Sequence, residues 1–321
     1  NLYKNMGKSH AMTANQTAIN TLIEQLRQQG FDEHQIKTDA DSLGFWGKDW
    51  TKHFEPNASA IVFPKSTQQV QAIVKLCNEL NIVITPSGGR TGLSAGAVAA
   101  NGEVVISLDK MNKVLAFYPA DRMVEVEAGI VTKALQDFAQ QQGLYYPVDF
   151  ASAGSSQLGG NIGTNAGGIK VIKYGMTRNW ILGMTVVTGK GDILHLNKGI
   201  IKNATGYDLR HLFIGAEGTL GIVTEVQVKL ERQPKNLTVM VLGVPEFTNI
   251  MQILSAFQSK MDLTAFEFFD DVAVDKLLAT GHVQKPFETD APFYALLEFE
   301  APYEPIMDMA MQIFEDCMSE G

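Results

Sequence analysis

The sequence predicts an α+β chain of two domains, the larger over residues 13–234 and the smaller over residues 235–321. Three observations carry this reading. A strand–helix–strand pattern near the start runs straight into a glycine-dense string. A series of short strands follows, interrupted by one helix and ending in a long alternating strand. Beyond Pro234, strand patterns are separated by helical ones, which describes a second, smaller α+β unit.

Taken in order, residues 1–12 (NLYKNMGKSHAM) lack the apolar run of a signal peptide and read as a vector-derived tail ending at a native Met12. Thr13–Gly30 has helical spacing through Ile19, Leu22, Ile23 and Leu26, with Gly30 as the stop. Ala60–Phe63 is a strand ended by Pro64. Ser66 caps a helix whose apolar face is Val70, Ile73, Val74, Cys77 and Leu80. Asn81–Thr85 is the next strand and leads into PSGGRTGLSAGA (Pro86–Ala97). Glu103–Ser107, Lys113–Tyr118 and Met123–Glu127 are strands, and Val131–Gln142 is a helix closed by Gly143. Pro147–Gly168 reads as a long irregular stretch holding a second string, GGNIGTNAGG (Gly159–Gly168). Trp180–Thr188 and Asp192–Leu196 form a hairpin, and Gly221–Leu230 is a strand. In the smaller domain the strands are Leu237–Val244, Leu263–Phe269 and Phe293–Phe299. The chain stops at Gly321 directly after the amphipathic stretch Glu304–Met318, so this domain reads as incomplete.

Composition excludes several classes. The 321 residues carry a net charge of −9 and a pI near 5.2, which gives no general attraction to nucleic acid or anionic lipid. No apolar run is long enough to span a bilayer. Two cysteines, Cys77 and Cys317, make neither a disulfide framework nor a metal cluster, which suits a reducing cytoplasm. The six histidines are scattered without ligand spacing, so no metal site is expected within the chain.

The glycine strings carry the chemistry. Without a Cβ, a backbone can take positive φ and lie close to a ligand, and successive N–H groups then form anion-binding nests. Two such strings some seventy residues apart suggest one long ligand held at two places, and a dinucleotide fits. The plainer alternative is that these glycines only make turns. A Rossmann GxGxxG and a GxxxxGK[ST] phosphate loop are both absent, which argues against a nicotinamide cofactor and a P-loop nucleotidase.

Ordered motifs then add a resemblance. AIVFP with STQQVQAIVKLCNELNIVITPSGGRTG, YPVDFASAGSSQLGGNIGTNAGG, KYGMTR, KNATGYDL and GAEGTLGIVTE together resemble the FAD-linked oxidases of the vanillyl-alcohol oxidase (PCMH-type) superfamily. LTAFEFF (Leu263–Phe269) is most similar to the D-2-hydroxy-acid dehydrogenases within it, of the D-2-hydroxyglutarate or D-lactate type. The resemblance implies a PCMH-type two-subdomain FAD-binding domain followed by an incomplete α+β cap domain. Pro86, Ser87, Gly88, Gly89, Arg90, Thr91, Gly92 and Ser94 would then cradle the FAD pyrophosphate, largely through backbone N–H groups. Gly154, Gly159, Gly160, Asn161, Thr164, Asn165, Gly168 and Gly175 would line the second wall, with Pro147 and Asp149 preceding it. Glu217, Gly221, Ile222 and Val223 resemble the stretch that touches ribose and adenine. Plainer readings stand beside these. Arg90 could form an ordinary salt bridge, Asn161, Asn165 and Asp149 could serve turns, and Ile222 and Val223 could be strand core.

The resemblance also implies hydride transfer from the α-carbon of a small 2-hydroxy acid to the flavin, with electrons leaving to a quinone, a cytochrome or an electron-transfer flavoprotein. Several relatives place a flavin-linking histidine where Arg90 stands, so noncovalent FAD is expected. The catalytic base and zinc ligands of the family are expected beyond Gly321, and the catalytic residues stay unknown. Lys170, Lys173 and Arg178 are the nearest cations to the second string, either solvated or orienting a carboxylate. Two alternatives remain: an alcohol or sugar oxidase of the same superfamily, and the flavin-binding subunit of a multi-subunit glycolate oxidase. The expected location is cytoplasmic, with a peripheral position at the inner membrane through the acceptor. The open sheet edge of the smaller domain could pair with a second copy as a homodimer.

Overall fold

A computed structural model describes residues 16–319; the first twelve residues, the start of the helix expected from Thr13, and Gly321 lie outside them. The chain divides into two compact units. The first comprises residues up to Tyr146 together with Ala151–Ala166 and Trp180–Glu231. The second comprises Pro147–Phe150, Gly167–Asn179 and Arg232 onward.

In the first unit, helix α1 (16–28) precedes a two-residue strand β1 (Ile36–Lys37) and helix α2 (Ala40–Trp46). Strand β2 (Ala60–Val62), helix α3 (Thr67–Glu79), β3 (Ile84–Ser87) and β4 (Val104–Ser107) follow. These strands form one sheet in the order β1-β2-β4-β3, parallel between β2, β4 and β3. Ala60, Ile61, Val62, Val104, Val105 and Ile106 have no exposed surface, as strands covered on both faces require. Ser66 caps α3, its side chain accepting from the Gln69 N–H, and Cys77 is fully buried, which pushes its thiol up to about 12.

Strands β5 (Val114–Tyr118) and β6 (Met123–Glu127) lead to helix α4 (Thr132–Gln141) and helix α5 (Leu158–Thr164). Strands β7 (Ile181–Thr188), β8 (Ile193–Leu196) and β9 (Gly221–Lys229) complete an antiparallel sheet in the order β5-β6-β9-β7-β8. The α3 side chains Gln71 and Asn78 donate to the carbonyls of Gly191 and Gly189, tying the parallel layer to the β7–β8 turn.

Two expectations are corrected. The stretch around Gly159 is not irregular, because Leu158–Thr164 is a helix with Asn165 as its left-handed cap (φ 48°). Three glycines in seven residues give it poor intrinsic propensity; packing supplies what propensity does not. A Cβ on Gly159 would come within 3.1 Å of the Ala128 side chain and carbonyl, so glycine lets the helix lie close to the end of β6 without displacing it. Strand β3 also starts later than Asn81, because Asn81 itself turns the chain with φ 53°.

The second unit is a three-stranded antiparallel sheet of β10 (Leu237–Val244), β11 (Leu263–Asp270) and β12 (Phe293–Glu300), with β12 in the middle. Helices α6 (Phe247–Gln258) and α8 (Glu304–Ser319) bury Phe257, Leu297, Phe299 and Ile313 against it, while α7 (Asp271–Leu278) follows β11. Leu297 and Phe299 face this core, so Glu298 and Glu300 project from the other face. There they meet the segment 167–179. Lys170 Nζ lies 2.6 Å from Glu298 Oε1, which also accepts from Thr264 at 2.6 Å. Lys173 Nζ lies 2.8 Å from Glu300 Oε1, with Arg232 and the Lys235 N–H on the same carboxylate. Lys170 is therefore buried and Lys173 partly exposed, each paired with a glutamate of β12.

Burial alone would raise the Glu300 carboxyl from its ordinary 4.5, but the Lys173 ammonium, the Lys235 amide and Arg232 outweigh it and hold the group at about 2. A depressed carboxyl stabilises the fold above its ordinary value, and that contribution is lost as pH falls toward the folded value. Urea unfolding followed by circular dichroism is expected to show stability falling between pH 4.5 and about 2, with a smaller fall in Glu300→Gln.

Candidate functional site

The two glycine strings meet in the first unit. β3 delivers the chain to Ser87, and the loop after it needs left-handed backbone at Arg90 (φ 59°) and Ala95 (φ 64°). A Cβ on Gly89 would overlap the Ser155 carbonyl oxygen and come within 2.7 Å of Ser156 Cα and 2.9 Å of Gln157 N. One on Gly88 would sit 3.5 Å from the Gly160 backbone. The first loop therefore lies backbone to backbone on the start of α5.

A third segment closes around both. The Glu217 N–H donates to the Gly163 carbonyl at 2.8 Å, and the Gly215 N–H to that of Ile162 at 2.9 Å. Glu217 itself is left-handed (φ 49°). Gly218 lies over Pro86, where a Cβ would be 3.1 Å from Pro86 Cγ, and Gly96 faces the Glu217 carboxylate. In these three segments Gly92, Ser94, Gly154, Gly160, Thr164 and Glu217 are exposed and Thr91 is half-buried. A Cβ on Gly154 or Gly160 would meet nothing within 4 Å, so both glycines border open space. Ser87 Oγ is buried without a hydrogen-bond partner among the described residues.

Several other predicted residues have partners within the fold. Arg90 takes the salt-bridge alternative: its Nη1 lies 3.4 Å from Asp109 Oδ1 and donates to the Gly88 carbonyl at 3.1 Å. The Asn161 amide is buried and donates to Thr132 Oγ1 at 2.7 Å. Asn165 serves as the helix cap. Ile222 and Val223 are buried on β9, and a Cβ on Gly221 would meet the Val187 carbonyl at 2.7 Å.

Pro147, Asp149, Gly168 and Gly175 belong to the second unit. A Cβ on Gly168 would overlap the Asp149 carbonyl, and the Ile169 N–H donates to that same oxygen at 3.2 Å. Gly175 ends a helical turn with φ 69°. Close backbone approach accounts locally for Gly168, and the positive φ with the Asn179 side chain beside it accounts for Gly175. Among the described residues no group of three or more His, Cys, Asp or Glu is placed to hold a metal, and no helix is long and apolar enough to cross a membrane.

Sequence reasoning missed the supports behind the loop. Asp109 accepts from Trp46 Nε1 at 2.7 Å and from Gln157 Nε2 at 2.8 Å, as well as pairing with Arg90. Asp49 stands behind Gly92, and the Trp50 N–H donates to the Gly92 carbonyl at 3.0 Å. None of these lies in a glycine string, and only the fold brings them there.

Converging glycine strings at the C-terminal end of a parallel strand, followed by a separate antiparallel unit, match two family models in the same order. The FAD binding domain matches residues 58–197, and the C-terminal domain of FAD linked oxidases matches residues 233–321. The chain belongs to the FAD-linked oxidases. Among curated relatives, D-2-hydroxyglutarate dehydrogenase of Stutzerimonas stutzeri (strain A1501) is 66% identical over 287 residues, covering 89% of this chain and 62% of its own. The mitochondrial D-2-hydroxyglutarate dehydrogenase of Bos taurus is 34% identical over 266 residues, covering 82% of this chain and 49% of its own. The chain thus spans less than two thirds of the length of these relatives. Solved structures of alkyldihydroxyacetonephosphate synthase (TM-score 0.77, 23% identity, 94% of this chain and 59% of that one) and p-cresol methylhydroxylase (TM-score 0.75, 19% identity, 95% and 64%) share the fold.

The glycines divide into two kinds with opposite expected effects. Gly89→Ala is expected to destabilise the first unit by about 2 kcal/mol or more, because the clash is with backbone. Gly160→Ala, in a helix with open space ahead of it, is expected to leave stability unchanged or raise it by roughly 0.5 kcal/mol. Thermal melts of the two variants check this.

Proposed function

We propose that this chain supplies the FAD-binding part of a dehydrogenase that oxidises a D-2-hydroxy acid, of the 2-hydroxyglutarate or lactate class, to the 2-oxo acid. The observation that carries the reading is the contact of Gly88 and Gly89 with residues 155–160, which brings the two glycine strings together. The junction suits an FAD diphosphate: glycine main chain from both strings meets there, Gly160 has open space ahead of it, and Ser87 at the start of the first loop carries a buried hydroxyl without a partner among the described residues. In this reading Ser87–Gly92 and Ser94 hold the diphosphate from one side, and Gly159, Gly160 and Thr164 hold the cofactor from the other. Glu217, exposed at the junction, is available to a ribose hydroxyl. The substrate class follows from the names of the relatives at 66% and 34% identity.

Bound FAD supplies the hydride acceptor. The chain's own share is to bind and orient it. Arg90 cannot form a covalent flavin link, and its guanidinium is committed to Asp109, so the cofactor is held noncovalently. Electrons then pass to a quinone, a cytochrome or an electron-transfer flavoprotein.

Expressed from its complete reading frame and kept anaerobic, the protein is expected to bleach its FAD on addition of D-2-hydroxyglutarate or D-lactate. Acid precipitation is expected to leave the yellow colour in the supernatant. Bleaching by L-enantiomers alone would overturn the substrate class, and colour retained in the pellet would overturn the noncovalent mode. Rapid reoxidation by air after bleaching would favour an oxidase over a dehydrogenase.

A further inference from the structure

We propose that Asp109 is a positioning residue for the cofactor, acting through the two glycine strings rather than by touching the ligand. The inference rests on the FAD reading above. Asp109 follows β4 and belongs to neither string, yet its carboxylate gathers donors from three separate segments. Oδ2 accepts from the Trp46 indole N–H at 2.7 Å, at the end of α2. Oδ1 accepts from the Gln157 amide at 2.8 Å, at the N-cap of α5, and pairs with Arg90 Nη1 at 3.4 Å, inside the first loop. One carboxylate oxygen thus holds the first string and the helix that carries the second.

The Arg90 end of this tether is fixed independently. Its guanidinium lies 5.1 Å from the Phe45 ring centroid and 5.9 Å from that of Trp46, and the same Nη1 donates to the Gly88 carbonyl. The Arg90 and Asp109 side chains are only 17% and 27% exposed, so solvent screens the pair weakly. At the other end Gln157 adjoins the junction, since its backbone N lies where a Gly89 Cβ would come within 2.9 Å. Removing the carboxylate frees both ends at once. It also leaves a half-buried guanidinium without its counter-charge beneath a loop whose amides must point at an anion. The expected consequence is weaker FAD binding by a folded protein.

The test is FAD titration of the chain and its variants, well below the melting temperature of each FAD-free protein. Asp109→Ala is expected to raise the FAD Kd about tenfold, and Gln157→Met several-fold. The double variant is expected to bind no more weakly than Asp109→Ala, because both substitutions cut the same tether. Asp109→Asn keeps an acceptor oxygen and is expected to recover part of the loss. A purely structural role lowers the melting temperature of the FAD-free protein and leaves Kd unchanged in both single variants; that result overturns the proposal, as does additivity in the double variant. Should Asp109→Ala not fold, Asp109→Asn and Gln157→Met decide: unchanged Kd in both overturns the proposal, and a raised Kd in both supports it. Failure of the wild-type chain to bind FAD would instead count against the cofactor reading itself.

Discussion

Two stretches of main chain, far apart in sequence, lie closer in the larger unit than any side chain would allow. Gly88 and Gly89 rest on the backbone of residues 155–160, with the Ser155 carbonyl occupying the place of a Gly89 Cβ. Everything else at the site is arranged around that approach. β3 must end at Ser87 so that the chain turns immediately, and α5 must begin at Leu158 so that its first turn faces the loop. Gly159, bare of a side chain, packs the helix tightly onto Ala128.

Holding this arrangement has a conformational cost. Arg90, Ala95 and Glu217 adopt left-handed backbone, each unfavourable by about 1 kcal/mol for a residue with a side chain. The surroundings fix them. Arg90 is fastened by Asp109 and two aromatic rings, and Glu217 by its N–H bond to Gly163. Strained, side-chain-poor backbone that neighbouring groups over-determine is a common way to build an anion site, since main-chain N–H groups cannot be aimed by rotamer choice. The second unit has its own clasp of the same economy: two lysines of the segment 167–179 close on alternate glutamates of the central strand β12.

Much of this was legible in the sequence where a local rule decided the outcome. The Ser66 cap, the stop at Gly143, the β7–β8 hairpin and the strands of the second unit follow from spacing and turn chemistry. The glycine strings were legible as chemistry but not as shape. A seven-residue segment with three glycines has no helical signal of its own, and α5 exists because Ala128 and Asn165 receive its two ends. The same limit hid Asp109 and Gln157, which are ordinary polar residues until the fold sets them 2.8 Å apart. Lys170 and Lys173 looked solvated because their carboxylate partners lie more than a hundred residues away.

The central claim is that the two strings form one cofactor cradle, and backbone amide hydrogen exchange with and without saturating FAD tests it most directly. The account predicts that Gly88–Gly92 and Gly159–Thr164 slow together when FAD binds, while strands β10, β11 and β12 change little. Protection of one string without the other, or of neither at saturating FAD, would contradict it.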